Sequence, residues 1–438
     1  MTTCTVYRWL PTFRRFTPWL MLSVIFAYNF SHAKGTLDAS IRIDSAHSDN
    51  ARKASENPVS ERQDEASLQI GGEYENSILQ LTGGYQASER RFDKGSQEDR
   101  SLLEGSGELT VGKPYHPADL VLRHSRRMVL NAPDELDLIS NNDEREIVSA
   151  IPRIRWQLTG ADLLMAQGNL TAVEYRFRPE RDSTRSGGSL IWLRDLSQTD
   201  QLRWTAQISD VEFDAVPSAD YRYESLDAAY LVDLQRLSYQ VQVGYNQTES
   251  QQDDGFGSPT YHLQATYEAG LSEWELSVQR FITDNSTGDG NVGDFGGFDP
   301  GDSSAGNLDQ LERTRAQLRW QGEQLCERCT LSLSIYHQSD DYRVETEDRS
   351  ERGGRIGFGY ALSRRATLDV SWHRREHRFE EVVARSDYQQ ETLYGGIAYR
   401  FASGLECDLY VREEDRRSDQ GGRGYAETRG GIGIGYTF

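Results

Sequence analysis

The chain has 438 residues, a formal net charge of -21 and a mean hydropathy of -0.69, which is too polar for a helical membrane protein. So acidic a chain carries no expectation of a nucleic-acid partner. The 22 Tyr, 15 Phe, 8 Trp and 39 Gly stand beside only 11 Pro, and the apolar residues are spread singly along the chain, which favours many strands and few helices.

Residues 1–33 read separately. Arg8, Arg14 and Arg15 precede "WLMLSVIFAYNF" and then "SHA", the order of a secretory signal peptide, with cleavage expected after Ala33. About 12 apolar residues fall short of the ~20 that a helical span needs. Removing these three Arg leaves 45 basic against 69 acidic residues, a net of -24 for residues 34–438, which read as one domain. Cys4 leaves with the leader.

Beyond the leader no apolar stretch is long enough for a helical span, so any crossing of a membrane must use strands. Alternation with period two begins at "LDASIRID", where Leu37, Ala39, Ile41 and Ile43 share a face, and recurs throughout. Leu79, Leu81, Gly83 and Tyr85 alternate with polar residues and Gly; so do Leu202, Trp204, Ala206 and Ile208, and Leu237, Tyr239, Val241, Val243 and Tyr245. Thr314, Ala316, Leu318 and Trp320 follow the same pattern, as do Leu405, Cys407, Leu409 and Val411.

Two folds fit such a pattern, a soluble sandwich and a membrane barrel. The connections discriminate. Short links at 75–77, 112–117, 197–200, 233–236, 268–272, 362–365 and 402–404 alternate with long acidic ones at 46–64, 88–99, 131–144, 246–258, 283–307, 339–352, 374–387 and 413–424. Outer-membrane barrels show this asymmetry, with short periplasmic turns and longer outer loops. The expected fold is therefore all-β, a transmembrane up-and-down antiparallel β-barrel of about 20 strands (18 to 22), with both chain ends on the short-turn side. The weakest strand is 146–158, which contains Pro152, and "DLLMAQGN" at 162–169 reads as an irregular short link.

The final segment "TRGGIGIGYTF" places Ile432, Ile434, Tyr436 and Phe438 on one face, with Arg429, Gly431, Gly433, Gly435 and Thr437 in the gaps. Such a strand is expected to pair with "LDASIRID" to close the barrel, since an open sheet edge is intolerable in hydrocarbon. Those four apolar residues also resemble the C-terminal signal by which outer-membrane barrels are recognised by the barrel assembly machinery.

Residues 67–127, "SLQIGGEYENSILQLTGGYQASERRFDKGSQEDRSLLEGSGELTVGKPYHPADLVLRHSRR", resemble the outer-membrane barrel family associated with PEP-CTERM and exopolysaccharide systems. The shared features are two alternating segments across a short turn, an arginine- and acid-rich loop, and a Leu/Gly/Glu segment followed by an "AD-L" segment. The resemblance implies an outer-membrane pore near envelope polysaccharide or protein sorting, with polysaccharide export components as partners, and it carries no catalytic residue.

No enzyme, cofactor or metal site is expected. "HRREH", with His373 and His377, reads as a solvated barrel rim rather than the helical pair of a metalloprotease. A phospholipase-type site would need a Ser beside His337, the one His assignable to the lipid face near a rim, and no Ser neighbour can be assigned. The six Asp among the Gly of 284–309 lack the spacing of a calcium loop. Cys326 and Cys329 lie at a short turn, where an oxidising periplasm would allow a disulfide, and Cys407 reads as a small apolar residue.

The polar face supplies the pore-lining candidates: Arg203, Arg313, Arg315, Arg319, Arg355, Arg400 and Arg412 with Glu104, Glu108, Glu275, Glu406 and Asp408. Mixed signs fit a hydrated channel in the outer membrane of a Gram-negative bacterium, in contact with lipid and lipopolysaccharide, better than a strongly ion-selective pore. The alternative is a non-conducting structural or surface-binding barrel that uses its acidic loops.

Overall fold

The computed structural model describes residues 34–113, 116–132, 135–250, 255–284, 286, 309–322, 326–343, 348–380 and 386–438. The signal-peptide reading and nearly all of the acidic segment 284–309 lie outside them.

In chain order the strands are β1 (Lys34–Ser48), β2 (Glu61–Glu75), β3 (Leu79–Phe92), β4 (Arg100–Val111), β5 (Ala118–Leu130), β6 (Asn142–Gln157), β7 (Asp162–Tyr175), β8 (Ser183–Asp195), β9 (Asp200–Phe213) and β10 (Tyr221–Asp233). The second half continues with β11 (Leu237–Ser250), β12 (Phe256–Ala269), β13 (Ser272–Asp284), β14 (Gln310–Gly322), β15 (Cys329–Tyr342), β16 (Arg349–Ala361), β17 (Ala366–Phe379), β18 (Tyr388–Arg400), β19 (Leu405–Ser418) and β20 (Tyr425–Thr437). Each strand pairs antiparallel with the next, and β1 pairs with β20 from Ser40↔Thr437 to Ser48↔Arg429, so the sheet closes on itself as a 20-stranded barrel. Closure removes every sheet edge, which is the condition for strands to stand in hydrocarbon.

Large apolar side chains cover one face and are exposed: Val243 is 59% exposed, Leu409 58% and Ile432 55%. The opposite face is the interior, because its side chains reach strands that are not neighbours: Arg185 of β8 touches Asp284 of β13 at 2.7 Å. On β11 the outward apolar run extends from Leu237 to Tyr245, nine residues, matching the ~9–11 that a tilted strand needs to cross a bilayer. Aromatic side chains gather outside near the short turns, where Trp274 packs on Trp320 and Tyr436 on Phe438, as in the interfacial girdles of membrane barrels.

The strands are 12 to 16 residues long and outrun this belt at the long-link end. On β17 the outward residues pass from Leu368, Val370 and Trp372 to Arg374, Glu376 and Arg378, and on β19 from Val411 to Glu413 and Asp415. The long links are accordingly shorter than the sequence suggests: 49–60 rather than 46–64, 93–99 rather than 88–99, 380–387 rather than 374–387. Residues polar on both faces read as loop, yet the backbone ladder continues in water and outward ion pairs such as Arg352–Glu376 and Arg378–Glu376, both 2.7 Å, decorate it. Links 176–182 and 214–220, missing from the expected long set, belong to the same end.

Two local expectations are corrected. Residues 162–169 form the first half of regular strand β7, and the turn lies at 158–161. Pro152 sits within β6, opposite Leu120 on β5, and on its other side the β6–β7 ladder lapses between Ala150↔Leu170 and Arg153↔Gln167 without losing register. The proline has no N–H to donate, and it is accommodated because Gly168 stands across from it, where a Cβ would meet the ring at 3.0 Å.

Candidate functional site

All twelve interior candidates lie on the inward face. Arg203, Arg355, Arg400 and Arg412 are next in sequence to outward-exposed Trp204, Ile356, Tyr399 and Val411, and Arg313, Arg315 and Arg319 alternate with residues paired to outward Leu333 and Ile335. The fold brings many of them together as ion pairs: across neighbouring strands Arg319 with Glu275 at 3.4 Å, Arg400 with Glu406 at 2.8 Å and Glu108 with Arg123 at 2.7 Å, and over the intervening β20 Asp408 of β19 with Arg42 of β1 at 2.7 Å. Arg313 is buried and donates two hydrogen bonds to Asp340, at 2.7 and 3.0 Å. Arg315 bonds Gln338 instead, Arg203 bonds Gln242, and Glu104 accepts from the Met128 backbone N–H.

Charge is unevenly distributed around the wall. Inward Arg side chains recur on β5, β6 and most of β14 to β20 with β1, whereas β9 to β13 carry Arg203 with Gln201, Gln207, Gln240, Gln242, Gln264 and Gln279 and Ser and Thr between them. The glycine stripe of β20 belongs to this arrangement. A Cβ at Gly433 would meet the Arg42 guanidinium at 2.0 Å, and one at Gly431 would meet the Tyr410 ring at 2.6 Å, so the inward glycines leave room for those side chains to lie across the strand. Tyr410 in turn donates to Asp44 at 2.8 Å.

The interior is not uniformly hydrated. Towards the long links, Val129, Ile147, Val173 and Tyr175 form one buried apolar cluster. Val211, Phe213, Tyr221 and Tyr223 form another, and Val216 and Ala219 of link 214–220 pack onto it. Here the mouth narrows. Arg185 and Tyr221 both donate to Asp284, and Tyr175 of β7 donates to the Ser286 backbone carbonyl, so strands five and six apart meet. On the other side Arg416 of β19 donates to the Glu135 carbonyl at 2.9 Å, drawing link 131–141 across. Gln97 ties three links together: its amide donates to Ala51 O at 2.8 Å and accepts from Ile139 N at 3.0 Å. Lys53, in link 49–60, lies 3.0 Å from Glu414. Burial opposes charge on both, but their mutual attraction raises the ammonium above its usual range and, with Arg412, lowers the Glu414 carboxyl to about 2.

His373 and His377 share the inward face of β17, not a solvated rim. His377 is buried, stacked 4.6 Å from Tyr388 and 3.3 Å from Glu351. Four strand residues separate the two His by ~13 Å, too far to share an ion, and no group of three His, Cys, Asp or Glu could hold a metal among the described residues. His337 is outward, as expected, opposite Ala316 and Arg352. The sequence reading missed further outward His residues: His47 of β1 contacts the Ser60 hydroxyl at 2.9 Å, and His124 bonds the Tyr85 hydroxyl at 2.6 Å and Glu146 at 3.1 Å. Cys326 and Cys329 form a disulfide with Cα atoms 5.3 Å apart. Cys407 lies outward between Leu405 and Leu409.

A closed antiparallel barrel with an exposed apolar belt and a charged, amide-rich interior is a transmembrane β-barrel. No protein-family model matches the sequence, and no curated protein matches it. Among solved structures, the chain is similar over 92% of its length to 82% of the FrpB iron transporter of Neisseria meningitidis (F3-3 variant), at 9% identity and a TM-score of 0.49. It is similar over 92% of its length to 99% of OpdK of Pseudomonas aeruginosa, at 9% identity and a TM-score of 0.39. For OmpT of Vibrio cholerae the shares are 93% and 98%, at 8% identity and a TM-score of 0.36.

Proposed function

We propose that the chain is a porin-like channel of a Gram-negative outer membrane. One observation carries this reading: a closed 20-stranded barrel encloses an interior lined by cations, carboxylates and amides, and strand counts of 16 to 18 already leave an aqueous lumen. In this reading residues 1–33 are removed on export, the barrel assembly machinery inserts the chain using Ile432, Ile434, Tyr436 and Phe438, and the long links face lipopolysaccharide. The resemblance of residues 67–127 supports a place beside exopolysaccharide export components. Among the described residues, the inward side chains suit passage of hydrated solutes and form no catalytic constellation.

A second reading, a non-conducting surface-binding barrel, is favoured by the contacts that cross the mouth, Arg185 with Asp284 and Arg416 with the Glu135 carbonyl. Planar-bilayer recordings on purified protein separate the two. The channel reading expects conductance steps that grow in Arg416→Ala, which frees link 131–141. No steps from either protein would rule the channel out.

A further inference from the structure

Beneath links 49–60 and 131–141, between β2, β3 and β4 on one side and β19 and β20 on the other, lies a cavity of about 240 Å³. It is smaller than the ~300–1,000 Å³ of sites for drug-sized ligands, which limits an occupant to about the size of one sugar ring. Most of its charges are matched within the protein. Lys53 and Arg412 both bond Glu414, and Arg90 pairs with Glu65 at 2.8 Å. Arg100 is different. Its side chain is 9% exposed, and among the described residues its one carboxylate neighbour is Glu144 at 3.6 Å, beyond hydrogen-bond distance, and neither terminal nitrogen has a hydrogen-bond partner. In the same cavity Asn142, 6% exposed, has a buried side-chain oxygen with no donor, and Arg429 has a buried Nε with no acceptor.

Unmet donors on a guanidinium that is nine-tenths buried are costly unless an acceptor enters from outside, and an anion with two oxygens matches the planar fork better than a water does. The unmet acceptor on Asn142, with the carboxylates of Asp137 and Glu427 also lining the space, calls for hydroxyl donors on the same molecule. A second cavity of about 350 Å³ in the interior shares Arg412 and Arg429 with the first, so the two adjoin at those side chains.

We propose that this cavity binds one residue of an acidic sugar or a similarly small hydroxylated anion, its carboxylate or phosphate held by Arg100 and Arg429 and its hydroxyls by Asn142 and the neighbouring acids. The site goes beyond the channel reading and stands whether or not the lumen conducts, because binding is read on the isolated barrel.

Titration calorimetry on the purified full-length barrel in zwitterionic detergent tests it, with galacturonate, galactose 6-phosphate and neutral galactose as probes. Saturable binding of either charged sugar, with galactose at least tenfold weaker, is the expected result, and the tighter of the two identifies carboxylate or phosphate as the preferred group. Arg100→Gln and Arg429→Gln should each weaken binding roughly tenfold or more, the value of a hydrogen bond to a charged group. Arg400→Gln, on an inward Arg outside the cavity, should leave binding unchanged. Retained heat-modifiability on gels shows that each variant is folded. Absence of binding by both charged sugars, equal binding of galactose, or full affinity in folded Arg100→Gln and Arg429→Gln would overturn the proposal.

Discussion

Arg185→Leu should destabilise the barrel by about 3–5 kcal/mol, the usual cost of removing one member of a buried ion pair. Arg185 and Asp284 are each 1% exposed, and the guanidinium donates to Asp284 at 2.7 Å and to the Ser286 hydroxyl at 2.8 Å. The substitution leaves a carboxylate stranded with Tyr221 and Ser286 as its remaining donors, and tenfold in the equilibrium constant per 1.4 kcal/mol makes the loss roughly 10²- to 10³-fold or more. Asp284→Leu strands the cation instead and should cost a similar amount. The double variant strands neither, so it should recover most of the loss, because apolar replacement of a whole buried pair is close to neutral. Asp284 stands at the tip of β13, beyond Arg280, where the pairing with β12 has ended, and its pKa is lowered; burial opposes this, and Arg185 with the Ser286 hydroxyl outweighs it. A lowered folded-state pKa contributes stability above the unfolded value of about 3.9 and loses it as pH falls through the folded value. The gap between wild type and Arg185→Leu should therefore narrow below about pH 4. Urea unfolding of the micelle-refolded barrel, followed by tryptophan fluorescence, measures each term. A single-variant cost below about 1 kcal/mol, or a double-variant cost equal to the sum of the singles, would refute the reasoning.

The remaining predictions concern the membrane. Ile434→Asp puts a charge on the lipid face of the closing strand, opposite Ile43, and should lower the amount of heat-modifiable barrel in the outer-membrane fraction. A basic residue at mid-bilayer costs roughly 2–4 kcal/mol and an acidic one somewhat less, so wild-type abundance would contradict it. Gly421, in link 419–424, and Gly160, in link 158–161, both have open space around a Cβ and lie at opposite ends of the barrel. On intact cells a membrane-impermeant thiol reagent should label Gly421→Cys and spare Gly160→Cys, and the reverse pattern would invert the topology. Gln97→Ala unties links 49–60, 93–99 and 131–141 and should make them more sensitive to added protease without lowering barrel yield; unchanged cleavage would show that the links do not depend on it.

The barrel was legible because membrane strands carry their signal locally. Alternation of Val241 and Val243 with Gln240 and Gln242 assigns both faces, and the outward Ile and inward Gly of β20 state the closing pair directly. Strand ends were less legible, since in the polar overhang Arg374, Glu376 and Arg378 differ little from a loop in hydropathy, and the ladder that orders them is visible only once β16 and β18 stand beside them. The cavity was half visible. Arg429 sits in the inward gaps of the terminal segment and Arg100 two positions before inward Leu102, so period two places both inside, but that they converge depends on β4 and β20 facing one mouth under folded links. Nothing local marks Arg185 and Asp284 as partners, 99 residues apart. Asp284 looked like the first of six loop acids, and only the closed geometry turns it into the brace of the mouth.

The most direct test of the central claim, that one face of each strand meets lipid and the other meets water, is a cysteine ladder along β11 in a Cys407→Ala background reconstituted into lipid vesicles. Single cysteines at Gln240 and Gln242 should react with a charged aqueous maleimide, and those at Val241 and Val243 should resist it while a fluorophore attached there is quenched by a lipid-borne quencher. Equal reactivity at all four positions, or labelling confined to Val241 and Val243, would contradict the barrel and every functional statement built on it.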